Sequence, residues 1–229
     1  MNERAVALVP AFNAETTIAA VVRDCKQFID EVIVVDDGSS DGTAAAAREA
    51  GADVVVQPQN GGKGAALKTG FAHALREGFD VVVTLDADGQ HLAREIPKFL
   101  AARAESNADL IIGGRAHLFG EMLPRRRRAN RFSAAAIAWA SGTNVTDSQS
   151  GYRLYSAKLL RKVRLRTDGY DLESEVIVHA GCLGFKVLTI PIDLGFVDGE
   201  ATSHYKPLGD TFRIAWTVFR ARFLWRKHT

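Results

Sequence analysis

The sequence predicts an α/β fold: a mainly parallel sheet with helices on both faces. Three observations lead there. Short, continuous apolar runs recur through the first half, the pattern of strands buried on both sides. Stretches with apolar residues at helical spacing stand between them. Strand and helix alternate with no internal repeat and no linker, which is the order a parallel sheet requires.

The first run, AVALV at 5–9, reads as a strand. A helix follows over 15–28, with Ile18, Val21, Val22 and Cys25 on one side. VIVVDD is the second strand, and the next helix has an aspartate near its start and Gly51 just past its end. DVVVQ is the third strand, followed by a helix in KGAALKTGFAHALREG that stops at Gly78. VVVTLD is the fourth, and a helix over 93–104 leads into DLIIGGR, the fifth. Beyond Arg115 the pattern loosens. AHLFGEMLPRRRRANR is polar, basic and irregular, and a helix is expected from Asn130 to Ala140. A polar turn, a short strand over 153–155, a helix over 172–183 and a strand in FKVLTIPI come next. The segment after them reads as a loop, and a helix over 210–225 follows.

The totals fit one domain with a real core: 229 residues, 47% hydrophobic and 24% charged. A net charge of +2 gives no reason to expect nucleic acid, although basic residues cluster at Arg125–Arg128 and from Arg213 to Lys227. Cys25 and Cys182 share no metal-type spacing and read as reduced thiols of a cytoplasmic protein. The first residues hold too short an apolar stretch for a signal peptide, and no run reaches the ~20 apolar residues of a spanning helix.

The chemistry gathers at strand tips. Ligands of open parallel sheets sit outside the carboxyl ends of the strands. Strand two ends in Asp36 and Asp37, strand four in Asp86 and Asp88. Packed carboxylates repel and raise each other's pKa, and a hard divalent cation, Mg2+ or Mn2+, resolves the conflict. DADGQ therefore reads as a metal site completed by a phosphorylated ligand, with Gln90 as a further oxygen donor; the competing reading is helix capping, which needs one short polar side chain and not two. NGGKGAAL lacks the Ser or Thr that a P-loop places after its lysine, PAFNAE lacks the dinucleotide fingerprint, and DGSSDG lacks the glutamate of a calcium loop.

VPAFNAE, VVDDGSSDGT, NGGKGAALKTG, LDADGQH and DSQSGYR occur in that order. Together they resemble the family 2 glycosyltransferases of GT-A fold, closest to the dolichyl- and polyprenyl-phosphate mannosyl- and glucosyltransferases, over Ala5 to about Pro207. The resemblance implies a metal-dependent transfer of a hexose, with inversion, from a nucleoside diphosphate sugar of GDP-mannose or UDP-glucose type to a lipid phosphate. It implies a nucleotide-sugar half (1–115), an acceptor half (116–208) and an amphipathic terminal helix (209–229). Pro10, Phe12, Asn13 and Glu15 would contact base and ribose, Asp37 would face the base, and Lys63, Asp86 and Ala87 would line the nucleotide. Asp86, Asp88 and Gln90 would hold Mg2+ or Mn2+. His204 and Lys206 would reach the diphosphate. Arg115 would grip the acceptor phosphate together with one or more of Arg127, Arg128 and Arg131, with Ser133 and Arg153 nearby. Asp147 would sit near the reacting centre. If the acceptor is a hydroxyl instead, a carboxylate base is needed, and Asp147, Glu173 or Glu175 would supply it; of the two glutamates at most one can face the site.

The last twenty residues carry Phe212, Ala215, Trp216, Phe219 and Phe223 as one stripe, widened by Ile214, Val218 and Trp225 and flanked by arginines. Such a helix fits a membrane surface, the protein's own core or a membrane-anchored partner. A lipid acceptor would place the protein at the inner face of a membrane.

Overall fold

The computed structural model describes residues 3–115, 124–195 and 216–223, the side chains of 124–132 excepted. The strands are β1 (Ala5–Ala11), β2 (Glu31–Asp36), β3 (Asp53–Val56), β4 (Val81–Thr84), β5 (Leu110–Gly114), β6 (Arg153–Ser156) and β7 (Val187–Pro191). The helices are α1 (Ile18–Cys25), α2 (Thr43–Glu49), α3 (Lys63–Arg76), α4 (Ile96–Ser106), α5 (Pro124–Ser141), α6 (Ala157–Lys162), α7 (Leu172–Cys182) and α8 (216–223). The strands form one sheet in the order β3-β2-β1-β4-β6-β5-β7. β6 runs antiparallel to both β4 and β5, and every other pairing is parallel.

The unbroken apolar runs follow from burial on both faces. Val6 and Leu8 of β1 join one core with Ile33, Phe71, Ile137, Val176 and Val218, under α3, α5, α7 and α8. Ala7 and Val9, one residue out of phase, join the other with Ile18, Val34, Ala47 and Phe99, under α1, α2 and α4. Cys25 is fully buried in that second core, which pushes its thiol up to about 12, and neither cysteine is in a disulfide. Proline is tolerated at position 10 because β4 pairs with β1 only as far as Leu8.

One boundary is corrected, and two features are added. The helix expected from Asn130 begins at Pro124, so the arginine run is helical: proline suits a first helical turn, and arginine is a good helix former. The short helix α6 was not anticipated, though Ser156 caps it by accepting from the Leu159 amide. The aromatic stripe of the terminal helix is not its packed face. In α8 the buried residues are Thr217, Val218 and Ala221, while Trp216, Phe219 and Phe223 point outward. No helix among the described residues is long and apolar enough to cross a membrane.

Candidate active site

The strand order reverses at β1, which has β2 on one side and β4 on the other. A crevice at that switch point, beyond the carboxyl ends, is where an open sheet takes its ligand. β6 enters from the opposite direction, so its amino-terminal side, residues 147–153, meets the same edge.

The turn after β4 holds Asp86, Ala87, Asp88, Gly89 and Gln90, all partly exposed. It is fixed from both sides. Thr17 donates to the Ala87 carbonyl at 2.7 Å, and the Asp86 amide donates to His91 Nδ1 at 2.9 Å. Nδ1 must therefore be unprotonated, and burial holds the His91 pKa below its usual value despite Asp86 nearby. Behind the turn, the Gly195 amide bonds the Gln90 carbonyl and Leu194 bridges to His91.

Lys63, the first residue of α3, reaches into this turn. Its Nζ lies 2.6 Å from Asp86 Oδ1 and 3.2 Å from Glu173 Oε1. The second contact is ionic without good hydrogen-bond direction, since Glu173 Oε1 has no well-angled donor. Burial opposes both charges, yet the pairing wins: Lys63 is raised and Asp86 is lowered. A Cβ at Gly151 would come within 2.6 Å of Nζ and 3.1 Å of both Asp86 oxygens, so a side chain there would make the pair shift. Two glycines of NGGKG make room for the protein's own backbone. A Cβ at Gly62 or Gly64 would strike the Asp168 backbone, and the Ala65 amide already bonds the Asp168 carbonyl.

Asp37 is 3% exposed, and its oxygens accept from Gln57 Nε2 and from the Gly61 and Gly62 amides at 2.8–2.9 Å. It is committed to positioning the 60–62 loop instead of standing free for a base. Burial raises its pKa against the two amides, with Asp36 adding to the rise. Asn13 and Glu15 tie neighbouring loops together, accepting from the Ser40 and Gly42 amides. Phe12 stands 44% exposed beside them, and Pro10 lies at the strand end below.

At the end of β5, Arg115 meets Asp147 along one edge of its guanidinium: Nε at 2.8 Å, Nη2 at 3.3 Å, with the Arg115 amide at 3.1 Å. Asp147 is buried and held below the usual carboxylate range: burial would raise it, but Arg115 outweighs this. The base role held open for Asp147 with a hydroxyl acceptor does not suit it, because a buried carboxylate locked to arginine orients that arginine and is a poor proton acceptor. Glu175 is also removed as a base, accepting four hydrogen bonds from Arg166 and Thr167. Glu173, two residues earlier, faces Lys63, as the helical spacing allowed. Arg153 is corrected as an acceptor ligand: it is fully buried, and its guanidinium donates to the carbonyls of Ser148, Ser150 and Glu173. Ser133 lies 3.4 Å from Ser148, next to Asp147. The Arg127, Arg128 and Arg131 side chains, His204 and Lys206 lie outside the described residues. His91 was given no role by sequence reasoning, although it directly follows the acidic turn.

No cluster of three acidic, histidine or cysteine side chains set for a metal occurs among the described residues. The turn could still hold a hard cation, since Asp86, Asp88 and Gln90 all offer oxygen. Asp86 is already neutralised by Lys63, whereas the Asp88 carboxylate accepts only the Gln90 amide among the described residues. Such a sparse set fits an ion that completes its shell with a phosphorylated ligand.

The model of glycosyl transferase family 2 matches residues 6–164. The chain belongs to that family. It is 31% identical over 217 residues to the undecaprenyl-phosphate mannosyltransferase of Micrococcus luteus, covering 86% of this chain and 85% of that one. It is 34% identical over 211 residues to the polyprenol monophosphomannose synthase of Mycolicibacterium smegmatis, covering 83% and 77%. Among solved structures, glucosyl-3-phosphoglycerate synthase from Mycobacterium tuberculosis, in complex with Mn2+, uridine diphosphate and phosphoglyceric acid, superposes with a TM-score of 0.73 at 20% identity, covering 96% of this chain and 77% of that one. This family 2 protein is a glycosyltransferase of GT-A fold.

Proposed function

We propose that the protein moves a hexose from a nucleoside diphosphate sugar to a polyprenyl phosphate, with inversion at the anomeric carbon. The relatives named for undecaprenyl phosphate and polyprenol support the acceptor class. The observation that carries the reading is Arg115, clamped by buried Asp147 at the edge that also holds the acidic turn. Arginine has five N–H donors in a planar fork, and Asp147 engages one edge of it; that fork suits phosphate.

Asp88, with Gln90 and Asp86, would hold Mg2+ or Mn2+, which when bound neutralises charge on the departing diphosphate. Lys63 keeps Asp86 ionised and adds positive charge beside the same group. Asp147 orients Arg115. An acceptor phosphate is already anionic at neutral pH, so positioning and charge stabilisation suffice. This agrees with the carboxylates: Asp147 and Glu175 are committed, and Glu173 is paired with Lys63. A hydroxyl acceptor would need one of them released.

The test supplies the full chain with GDP-mannose or UDP-glucose, Mn2+ or Mg2+, and either a polyprenyl phosphate or the corresponding free polyprenol. Product from the phosphate alone is expected. Equal turnover of the alcohol would overturn the acceptor assignment.

A further inference from the structure

We infer that α5 and α8 together form a docking face for an anionic lipid bilayer. Four large aromatic side chains make one exposed cluster there. Trp139 of α5 is 72% exposed, and Trp216, Phe219 and Phe223 of α8 are 51%, 47% and 48% exposed. They touch in sequence: Trp216 stacks on Phe219 at 5.9 Å, Phe219 meets Phe223 at 5.2 Å, and Phe223 meets Trp139 at 6.3 Å. The opposite face of α8 is anchored, with Val218 and Ala221 buried and Thr217 donating to Asp171 at 2.8 Å. The aromatics are thus held outward by a docked helix. A contiguous apolar patch of this kind marks an interaction surface, and Trp and Phe suit the boundary between headgroups and acyl chains.

Charge selects the occupant. α5 carries Arg125, Arg126, Arg127, Arg128 and Arg131 and no acidic residue. The stretch 209–229 carries Arg213, Arg220, Arg222, Arg226 and Lys227 against one acid, Asp210. A basic composition in the two stretches that carry the aromatics matches an anionic leaflet. They disfavour a second copy, because a two-fold contact would set the same basic helices against each other. The location fits as well. Ser133, about 9 Å along α5 from Trp139 at 1.5 Å per residue, lies against Ser148 beside Asp147. A bilayer on this face would lie beside the arm of the site that holds Arg115. The inference goes beyond the acceptor assigned above, and vesicles without acceptor test it alone.

Two of the chain's three tryptophans, Trp139 and Trp216, lie on the face, so intrinsic fluorescence reports on it. The full chain is mixed with vesicles of phosphatidylcholine, alone or with about one third phosphatidylglycerol, then sedimented and read by emission. Expected are at least about tenfold tighter binding to the anionic vesicles, weakening with salt, a blue shift, and quenching by brominated lipid. Trp139→Ser with Phe219→Ser should lower partitioning by at least about tenfold, while Trp139→Phe with Phe219→Leu keeps it; thermal shifts with nucleoside diphosphate stay as in the parent. Absence of vesicle binding, lack of quenching in the parent, or undiminished binding of the serine pair overturns the inference. So does a parent that dimerises in solution where the serine pair is monomeric, which would assign the face to a second copy.

Discussion

Two acidic strand tips lie close together at one sheet edge, and they do different work. At the end of β2, Asp36 and Asp37 are each 3% exposed, and backbone amides absorb them: Ser39 bonds Asp36, and Gly61 and Gly62 bond Asp37. At the end of β4, Asp86 and Asp88 are partly exposed; Asp86 pairs with the Lys63 ammonium, and Asp88 accepts only the Gln90 amide among the described residues. A carboxylate satisfied by amides shapes a loop. A partly exposed carboxylate with a side-chain partner or a single amide keeps lone pairs that can change partners, which is what binding a cation and a diphosphate would demand. The partner decides the role, and the aspartate alone does not.

The largest expected effect lies at the second tip. Asp88→Asn should reduce sugar transfer by about 10³-fold, the worth of several kcal/mol of charge stabilisation, and leave the melting temperature near the parent's. Comparable loss of activity in Asp36→Asn would erase the distinction. Next comes Asp147→Ala, which leaves Arg115 partly buried and without its partner. Denaturant unfolding should show a loss of about 3 kcal/mol, together with a raised KM for acceptor and an unchanged KM for donor. At the first tip, Asp37→Ala orphans two loop amides and should cost about 2–3 kcal/mol. For a chain of this size that lowers the melting temperature by about 4–12 °C. A shift within a degree would mean that the amide bonds carry little.

The smallest effect is a titration difference. In the metal-free protein, burial with Asp36 raises Asp37, and Lys63 lowers Asp86 against its burial. Carboxyl carbon NMR should find Asp37 protonating above the ordinary carboxylate range and Asp86 below it. The signs for stability then oppose. Asp86, with its folded pKa depressed, contributes stability above the unfolded value of about 3.9; that contribution is lost as the pH falls through the folded value. Asp37, with its folded pKa raised, favours folding increasingly as it takes up its proton on acidification.

Much of this arrangement was legible in the residues. The apolar runs gave the strands because both faces of the sheet are covered, and the tips located the crevice. The division of labour between the tips was hidden, because it depends on Gly61 and Gly62 folding back onto Asp37 from a distant loop. The resemblance pointed to both Arg115 and Asp147, but that Asp147 is buried against Arg115 could be read only from the structure. Arg153 misled because a polar motif gives no sign that its arginine is turned inward to three carbonyls. For α8 the sequence left membrane, core and partner open as the seat of the stripe, because the larger aromatics hid the small residues, Thr217 and Ala221, that pack inward beside Val218.

The most direct test is manganese binding, followed by the electron paramagnetic resonance of free Mn2+ in the presence of nucleoside diphosphate. The parent and Asp37→Asn should both deplete the free-ion signal, and Asp88→Asn should not. Depletion by Asp88→Asn equal to the parent's, or its loss in Asp37→Asn alone, would contradict the assignment of the chemistry to the tip of β4.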